Sequence, residues 1–363
     1  MELKRLEELK RLVGWRNLVR WFPAPFLLIG AWILASHAQS AFDAHIYYLG
    51  AVGWLQGADP WNIAYHGLHF AAPPWVLPII APSTLLNESR ATGVWIALDA
   101  VAAAYIVRRS GLAWGWILFP PLVHGTLNGN PAIASLALLV AGAGPIGVLL
   151  RPQVGFALVG ERRWRAMAIS AVLGIALLAI IPWQTFLADL PTITARYVTE
   201  SHGGSTGGTL LALAIGILSV LALATVDLRE AGWLATIVAV PINGWYAGAA
   251  ALPVMNPFLA VGLSLPVVGL PTAAIAAYAA LRVVLRWAPP GGLARFLAPL
   301  VERYRPDADP DRPAWPFHPP APVPPGAPLP AEALSPAEAL SPAEAPSPAE
   351  APSPAEARVN NRR

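Results

Sequence analysis

Apolar runs long enough to cross a bilayer core recur from Phe22 to Trp287, with few charges inside them. Only 12% of the chain is charged and 56% is hydrophobic, whereas roughly a quarter of a soluble domain carries charge. The runs are continuous rather than alternating, which excludes a closed barrel and leaves an all-α, polytopic transmembrane bundle. The chain has no cysteine, so disulfides, thiolate chemistry and cysteine-ligated metal are excluded. The first apolar run starts late, after a charged segment, and reads as a retained anchor rather than a cleavable signal.

The organisation follows from where polar residues interrupt these runs. Met1 to Asn17 sets leucines at helical spacing among Lys4, Arg5, Lys10 and Arg11, as in an amphipathic helix on an anionic cytoplasmic leaflet. Crossings are expected at Leu18–Ala38, Pro73–Leu86, Thr92–Val107, Leu112–Thr126, Pro131–Ala143, Pro145–Val159, Ala166–Phe186, Thr209–Thr225, Gly232–Pro253 and Phe258–Trp287, the last either one kinked span with an entry segment or two short ones, about ten in all. Basic clusters such as Arg162-Arg163 and Arg282 with Arg286 then lie inside, together with both termini, in a multi-pass plasma-membrane protein. Arg108-Arg109 falls outside in this count, against the charge rule, unless one short run is a re-entrant hairpin. From 288 to 363 proline dominates, with a six-residue repeat marked by Pro330, Pro336, Pro342, Pro348 and Pro354, so a disordered cytoplasmic tail is expected. The divisions are therefore 1–17, 18–287 and 288–363.

The polar stretch from Ala41 to Trp75 is the first long interruption. Asp43, just beyond the first span, suits a general base meeting substrate at the membrane surface; a solvated loop with a helix cap is the alternative. Arg151 inside a span needs a partner, and phosphate is a natural one through bidentate hydrogen bonds; an ion pair with Asp99 or another acid is the alternative. The second outer loop, Leu187 to Gly208, and the break at Pro241 to Tyr246 converge on the same face. His45, His66 and His69 lack a ligand spacing, so no metal is expected, and no phosphate-binding glycine loop is present.

These motifs resemble, in order, those of the family 87 glycosyltransferases, the DUF2029 group. Asp43 with Tyr47-Tyr48 and then Gly57-Ala58-Asp59-Pro60-Trp61 is similar to the family's D-x-x-x-Y-Y and G-x-D-P-Y/W opening. Pro73-Pro74 with Pro82, Leu127 to Pro131, Leu150-Arg151-Pro152-Gln153 and Pro241 to Tyr246 match its later motifs, with Arg151 standing for the usual lysine and Tyr246 for a histidine. The resemblance covers about Leu18 to Leu270. It implies a GT-C fold and an inverting membrane hexosyltransferase that moves a sugar, mannose first among the expectations. The donor would be a polyprenyl phosphate and the acceptor a glycolipid or cell-envelope glycan on the outer face. Asp43 would be the base, and Arg151, Gln153, Tyr246, His66 and Tyr47 would bind substrate, with no cofactor and no nucleic acid. A transporter lined by Asp99 and Arg151, or a scaffold recruiting partners through its tail, are the competing readings. The same crossing count puts Asn128 to Asn130 on the side away from Asp43.

Overall fold

The structure, a computed structural model, describes residues 14–37, 41–200, 209–239, 244–289 and 291–304. Most of Met1–Asn17, the Gly203–Gly208 patch, Pro241 to Asn243 and the repeat tail lie outside these residues. The described chain is almost entirely helical; its strands are one two-residue antiparallel hairpin, β1 (Ala64–Tyr65) with β2 (Leu68–His69).

After helical residues 14–21 come α1 (Ala24–His37), α2 (Phe42–Leu55), α3 (Val76–Ile80) and α4 (Glu88–Arg109). Then follow α5 (Pro120–Asn128), α6 (Pro131–Ala141), α7 (Gly144–Leu150), α8 (Gly155–Gly160), α9 (Trp164–Leu177) and α10 (Trp183–Glu200). The last five are α11 (Leu210–Ala224), α12 (Leu228–Val238), α13 (Pro257–Ser264), α14 (Leu270–Trp287) and α15 (Gly292–Val301), with a 3-10 helix at Trp245–Val254 before α13.

Two of these, α4 and α14, are long and apolar enough to cross a membrane. α4 has charges suited to its ends. Asn87 caps the Arg90 amide, Glu88 lies in the first turn and Arg108 and Arg109 in the last, each favourable to the helix dipole. Large apolar side chains stand outward on several helices, among them Trp32 (75% exposed), Val101 (69%), Val172 (66%) and Leu210 (83%). Surfaces of this kind are rare where a chain faces only water.

Several expected crossings are shorter than the sequence count assumed. The Pro73–Leu86 run forms only α3 and a 3-10 turn at Ala81–Leu85, laid along α2. Its far end returns to α2, where Tyr48 Oη donates to the Leu86 carbonyl at 3.1 Å. α4 therefore starts on the Asp43 side, with Glu88 Oε1 2.7 Å from His45 Nδ1. At about 1.5 Å per residue it carries Arg108-Arg109 roughly 33 Å away, to the opposite end. Arg108-Arg109 thus lie at the end of α4 away from Asp43, not on its side as the crossing count placed them.

The opposite end gathers the charge. Glu230 at the start of α12 is buried and accepts from Arg282 Nε (3.0 Å), Arg303 Nε (3.1 Å) and Tyr278 Oη (2.9 Å). Beside it Glu161 accepts from Arg229 Nε at 3.2 Å and Trp233 Nε1 at 3.0 Å. α8 and α12 touch through Gly160 and Gly232; a Cβ on Gly232 would stand 2.6 Å from the Gly160 Cα, so only glycine permits this approach.

Three further points concern element type. Residues 187–200 of the expected outer loop are instead helical, part of α10, which continues through Pro191 and packs on the Trp61 segment. The Phe258–Trp287 run is two helices, broken at Gly269 with φ 74°. Helical structure also persists past 287: α15 packs on the amino-terminal segment, with Trp15 stacked on Phe296 at 4.3 Å.

Candidate functional site

The Leu127-Asn128-Gly129-Asn130-Pro131 motif is a helix stop followed at once by a helix start. Gly129 ends α5 with φ 64°, the left-handed conformation that glycine adopts at lowest cost. Asn130 then caps α6, its Oδ1 accepting from the Ala132 amide at 2.8 Å, with Pro131 preset at the first helical position. The missing side chain at Gly129 also lets α5 meet α2. A Cβ there would lie 2.7 Å from Ala44 Cβ and 3.2 Å from Trp95. The Ala41 amide donates to the Leu127 carbonyl at 2.8 Å, joining the start of α2 to the end of α5.

This junction brings Asn130 to Asp43. Its Nδ2 donates to Asp43 Oδ2 at 2.8 Å. The expectation that Asn128 to Asn130 lie on the far side is thus corrected. The short α3 segment and the nine-residue α5 each carry the chain less far than the count of apolar runs required.

Arg151 arrives from a second direction. α7 ends there, and Arg151 is extended (φ −145°, ψ 98°), as a residue before proline favours. Pro152–Val154 turns the chain into α8, so the expected Pro145–Val159 crossing is a broken pair of short helices with Arg151 at its tip. The guanidinium lies 4.9 Å from the centre of the Tyr246 ring. Its Nε and Nη2 are 2.9 and 2.7 Å from the Gln153 side-chain amide, whose oxygen accepts both. Tyr246 is the second residue of the 3-10 helix at Trp245–Val254, and His124 is stacked on it at 6.1 Å. His124 Nε2 is in turn 2.9 Å from Asn128 Nδ2.

Asp43 and Tyr47 are one turn apart on α2, so both face the same cluster. Burial pushes the Asp43 carboxyl up to about 6; the Asn130 amide and the Arg151 guanidinium pull it back. Burial likewise pushes the Tyr47 phenol up, with Tyr246, Arg151 and Asp43 all within electrostatic reach. Asp99 is fully buried in α4 beside Ala134, and it also senses Asp43. Arg151 lies against Tyr246 and Gln153 and within electrostatic reach of Asp43, whereas the Asp99 carboxylate has no hydrogen-bond partner among the described residues, so of the two acids it is Asp43 that senses the guanidinium.

Five of the six residues named from the sequence, Asp43, Tyr47, Arg151, Gln153 and Tyr246, therefore meet in one cluster. His66 does not join them: it is exposed in the β1–β2 turn with its ring edge-on to Tyr65 at 4.4 Å. Asn130 and His124 are the members that residue type alone did not assign. Asparagine before proline at a helix start was a visible signal for the first; nothing in the sequence singled out the second. The Asp59-Pro60-Trp61 motif has a supporting place. Asp59 Oδ1 accepts from the Trp61 amide at 3.0 Å, and Trp61 is buried with Nε1 donating to the Ala72 carbonyl at 3.0 Å.

An apolar groove of about 490 Å³ is lined by Trp75, Val148, Leu149, Pro152, Phe156 and Leu178 among others. Pro152, which follows Arg151 in the chain, is one of its lining residues; Arg151 itself is not among them.

No known protein family, curated protein or solved structure matches this chain. Its chemistry therefore has to be read from the cluster itself. The cluster offers a proton acceptor tuned near neutrality, a fixed cation beside it, and hydrogen-bonding groups around both. That set can deprotonate a hydroxyl while stabilising negative charge that develops on a leaving group.

Proposed function

We propose that this chain is an integral membrane glycosyltransferase related to family 87, with a GT-C-like bundle. It would move a sugar, mannose in the first instance, from a polyprenyl-phosphate donor to a glycolipid or cell-envelope glycan. The observation that carries this reading is the Arg151 guanidinium within electrostatic reach of Asp43, with an apolar groove lined in part by the next residue, Pro152. A groove of that lining suits a polyprenyl chain, and the Arg151 guanidinium suits its phosphate.

In the reaction, Asp43 accepts the proton of the acceptor hydroxyl as its oxygen bonds to the anomeric carbon. The bond from that carbon to the phosphate oxygen breaks, and its electron pair stays on the phosphate, where Arg151 offsets the charge. The configuration at the anomeric carbon inverts. Gln153 and Tyr246 hold the guanidinium in place, and Tyr47 presents a phenol to the sugar. The arginine-rich end opposite Asp43 is the cytoplasmic one by the positive-inside rule, which puts the reaction on the outer face of the plasma membrane. α4 and α14 cross fully in this reading, and the α3 and α7–α8 segments are re-entrant.

The test is purified full-length chain in lipid nanodiscs, given labelled polyprenyl-phosphate mannose and a membrane glycolipid extract. Label appearing in polyprenyl-free glycolipid is the expected result. Donor that binds but is never consumed, with mannose or any other polyprenyl-phosphate sugar supplied, would overturn the proposal.

A further inference from the structure

The base and the cation of the cluster come from different parts of the chain, yet one short helix touches the neighbours of both. α5 runs from Pro120 to Asn128, and Asn130, two residues past its end, donates to Asp43 at 2.8 Å. His124, on the same helix, reaches the other side of the cluster, its ring stacked on Tyr246 at 6.1 Å with 25° between the planes. The Tyr246 ring in turn carries the Arg151 guanidinium, 4.9 Å from its centre.

The sequence shapes this seat. α5 packs along the 3-10 helix at Trp245–Val254, and both elements lack side chains where they meet. A Cβ on Gly125 would stand 3.0 Å from Tyr246 Cβ, and one on Gly248 would stand 2.8 Å from Pro121 Cγ. The ring separation lies in the range of offset-stacked aromatic pairs, about 4.5–7 Å. His124 and Asn128 are one turn apart on one face of α5, and the Asn128 amide, 2.9 Å from Nε2, fixes the rotation of the imidazole. Nδ1 is buried with no hydrogen-bond partner among the described residues. One nitrogen therefore tethers the ring, and its flat face is what His124 offers to Tyr246.

The charge state suits a prop. A tyrosine ring attracts a cation through its quadrupole, so an imidazolium on Tyr246 would compete with Arg151. Burial holds His124 down to about 4, so the ring is neutral while Asp43, at about 6, titrates.

We infer that His124 is a positioning residue: its ring props Tyr246, and through Tyr246 it sets where the Arg151 guanidinium stands relative to Asp43. α5 thereby places the base through Asn130 and the cation through His124. The effect on turnover rests on the sugar-transfer reading; the effect on Arg151 does not.

The test reads Arg151 itself, in the full chain in lipid nanodiscs, by phenylglyoxal modification with peptide mapping. In His124→Ala the contact between Tyr246 and the guanidinium loosens, and Arg151 should react about threefold to tenfold faster. Arg282 and Arg303, held by Glu230 at 3.0 and 3.1 Å, should keep their wild-type rates. His124→Phe keeps a flat ring and should restore most of the protection, whereas His124→Leu keeps bulk without a face and should follow alanine. Should the alanine variant not fold, leucine against phenylalanine decides. Unchanged Arg151 reactivity in the alanine or leucine variant, an equal rise at Arg282 and Arg303, or phenylalanine behaving as alanine would each overturn the inference. Where transfer is measured, kcat should fall by the same factor in His124→Ala and recover in His124→Phe. Arg151 reactivity that shifts as expected in a chain that never transfers sugar would remove the sugar-transfer reading and leave the placement of Arg151 by His124 standing.

Discussion

Asn130→Ser isolates the hydrogen bond that holds the Asp43 carboxyl down. Asn130 does two things: Oδ1 caps α6 at the Ala132 amide, and Nδ2 donates to Asp43 at 2.8 Å. Serine caps a helix about as well as asparagine, so the fold should keep its start signal. Its side chain is too short to reach Asp43. A hydrogen bond to a charged group contributes about 1.5–3 kcal/mol, and one pH unit corresponds to about 1.36 kcal/mol, so the bond is worth about one to two units. Asp43 is only partly buried and water can replace the lost donor, so the lower figure applies. The carboxyl, at about 6 in the wild type, should therefore move up by about one unit. Because the base works only when deprotonated, the acid limb of turnover should move up with it. The assay is carbodiimide labelling across a pH series with peptide mapping, which reads protonated Asp43 directly and needs no substrate. A variant with wild-type melting whose Asp43 titrates unchanged, or lower, would refute the reasoning.

Other substitutions probe the same framework. Arg151→Lys keeps the charge but loses the planar contact with Tyr246 and the paired bonds to Gln153; turnover should fall by about tenfold or more in kcat, checked by steady-state kinetics. Gly129→Ala combines a positive φ with a Cβ 2.7 Å from Ala44, and should lower stability by about 1–3 kcal/mol in detergent melting. Glu230→Ala leaves Arg282 and Arg303 without their shared buried carboxylate and should cost about 3–5 kcal/mol, read by the same melting.

The convergence of Asp43, Arg151 and Tyr246 was legible because each sits at a polar or proline-marked interruption of an apolar run. The side on which Asn130 lies was not legible from counting runs. Such a count treats every apolar stretch as one crossing, and hydropathy alone does not distinguish a full span from a re-entrant pair. The local signals for the broken elements were nevertheless present. Pro152 forces Arg151 out of the helix, and Gly129-Asn130-Pro131 is a stop and a start in three residues. α10 and α15 were harder to see, because Pro191 and Pro299 within them read as breaks, and tertiary contacts at Trp61 and Trp15 hold them helical. His66 shared a loop with the site residues in sequence, but the tight β1–β2 turn points that loop's tip away.

Sugar transfer with Asp43 as base is tested most directly by single-turnover rates at saturating polyprenyl-phosphate sugar, wild type beside Asp43→Asn. The asparagine keeps the size and the hydrogen-bonding shape but cannot take the hydroxyl proton, so the rate should fall by about 100-fold or more while donor binding persists. A variant that turns over at the wild-type rate would remove Asp43 from the chemistry.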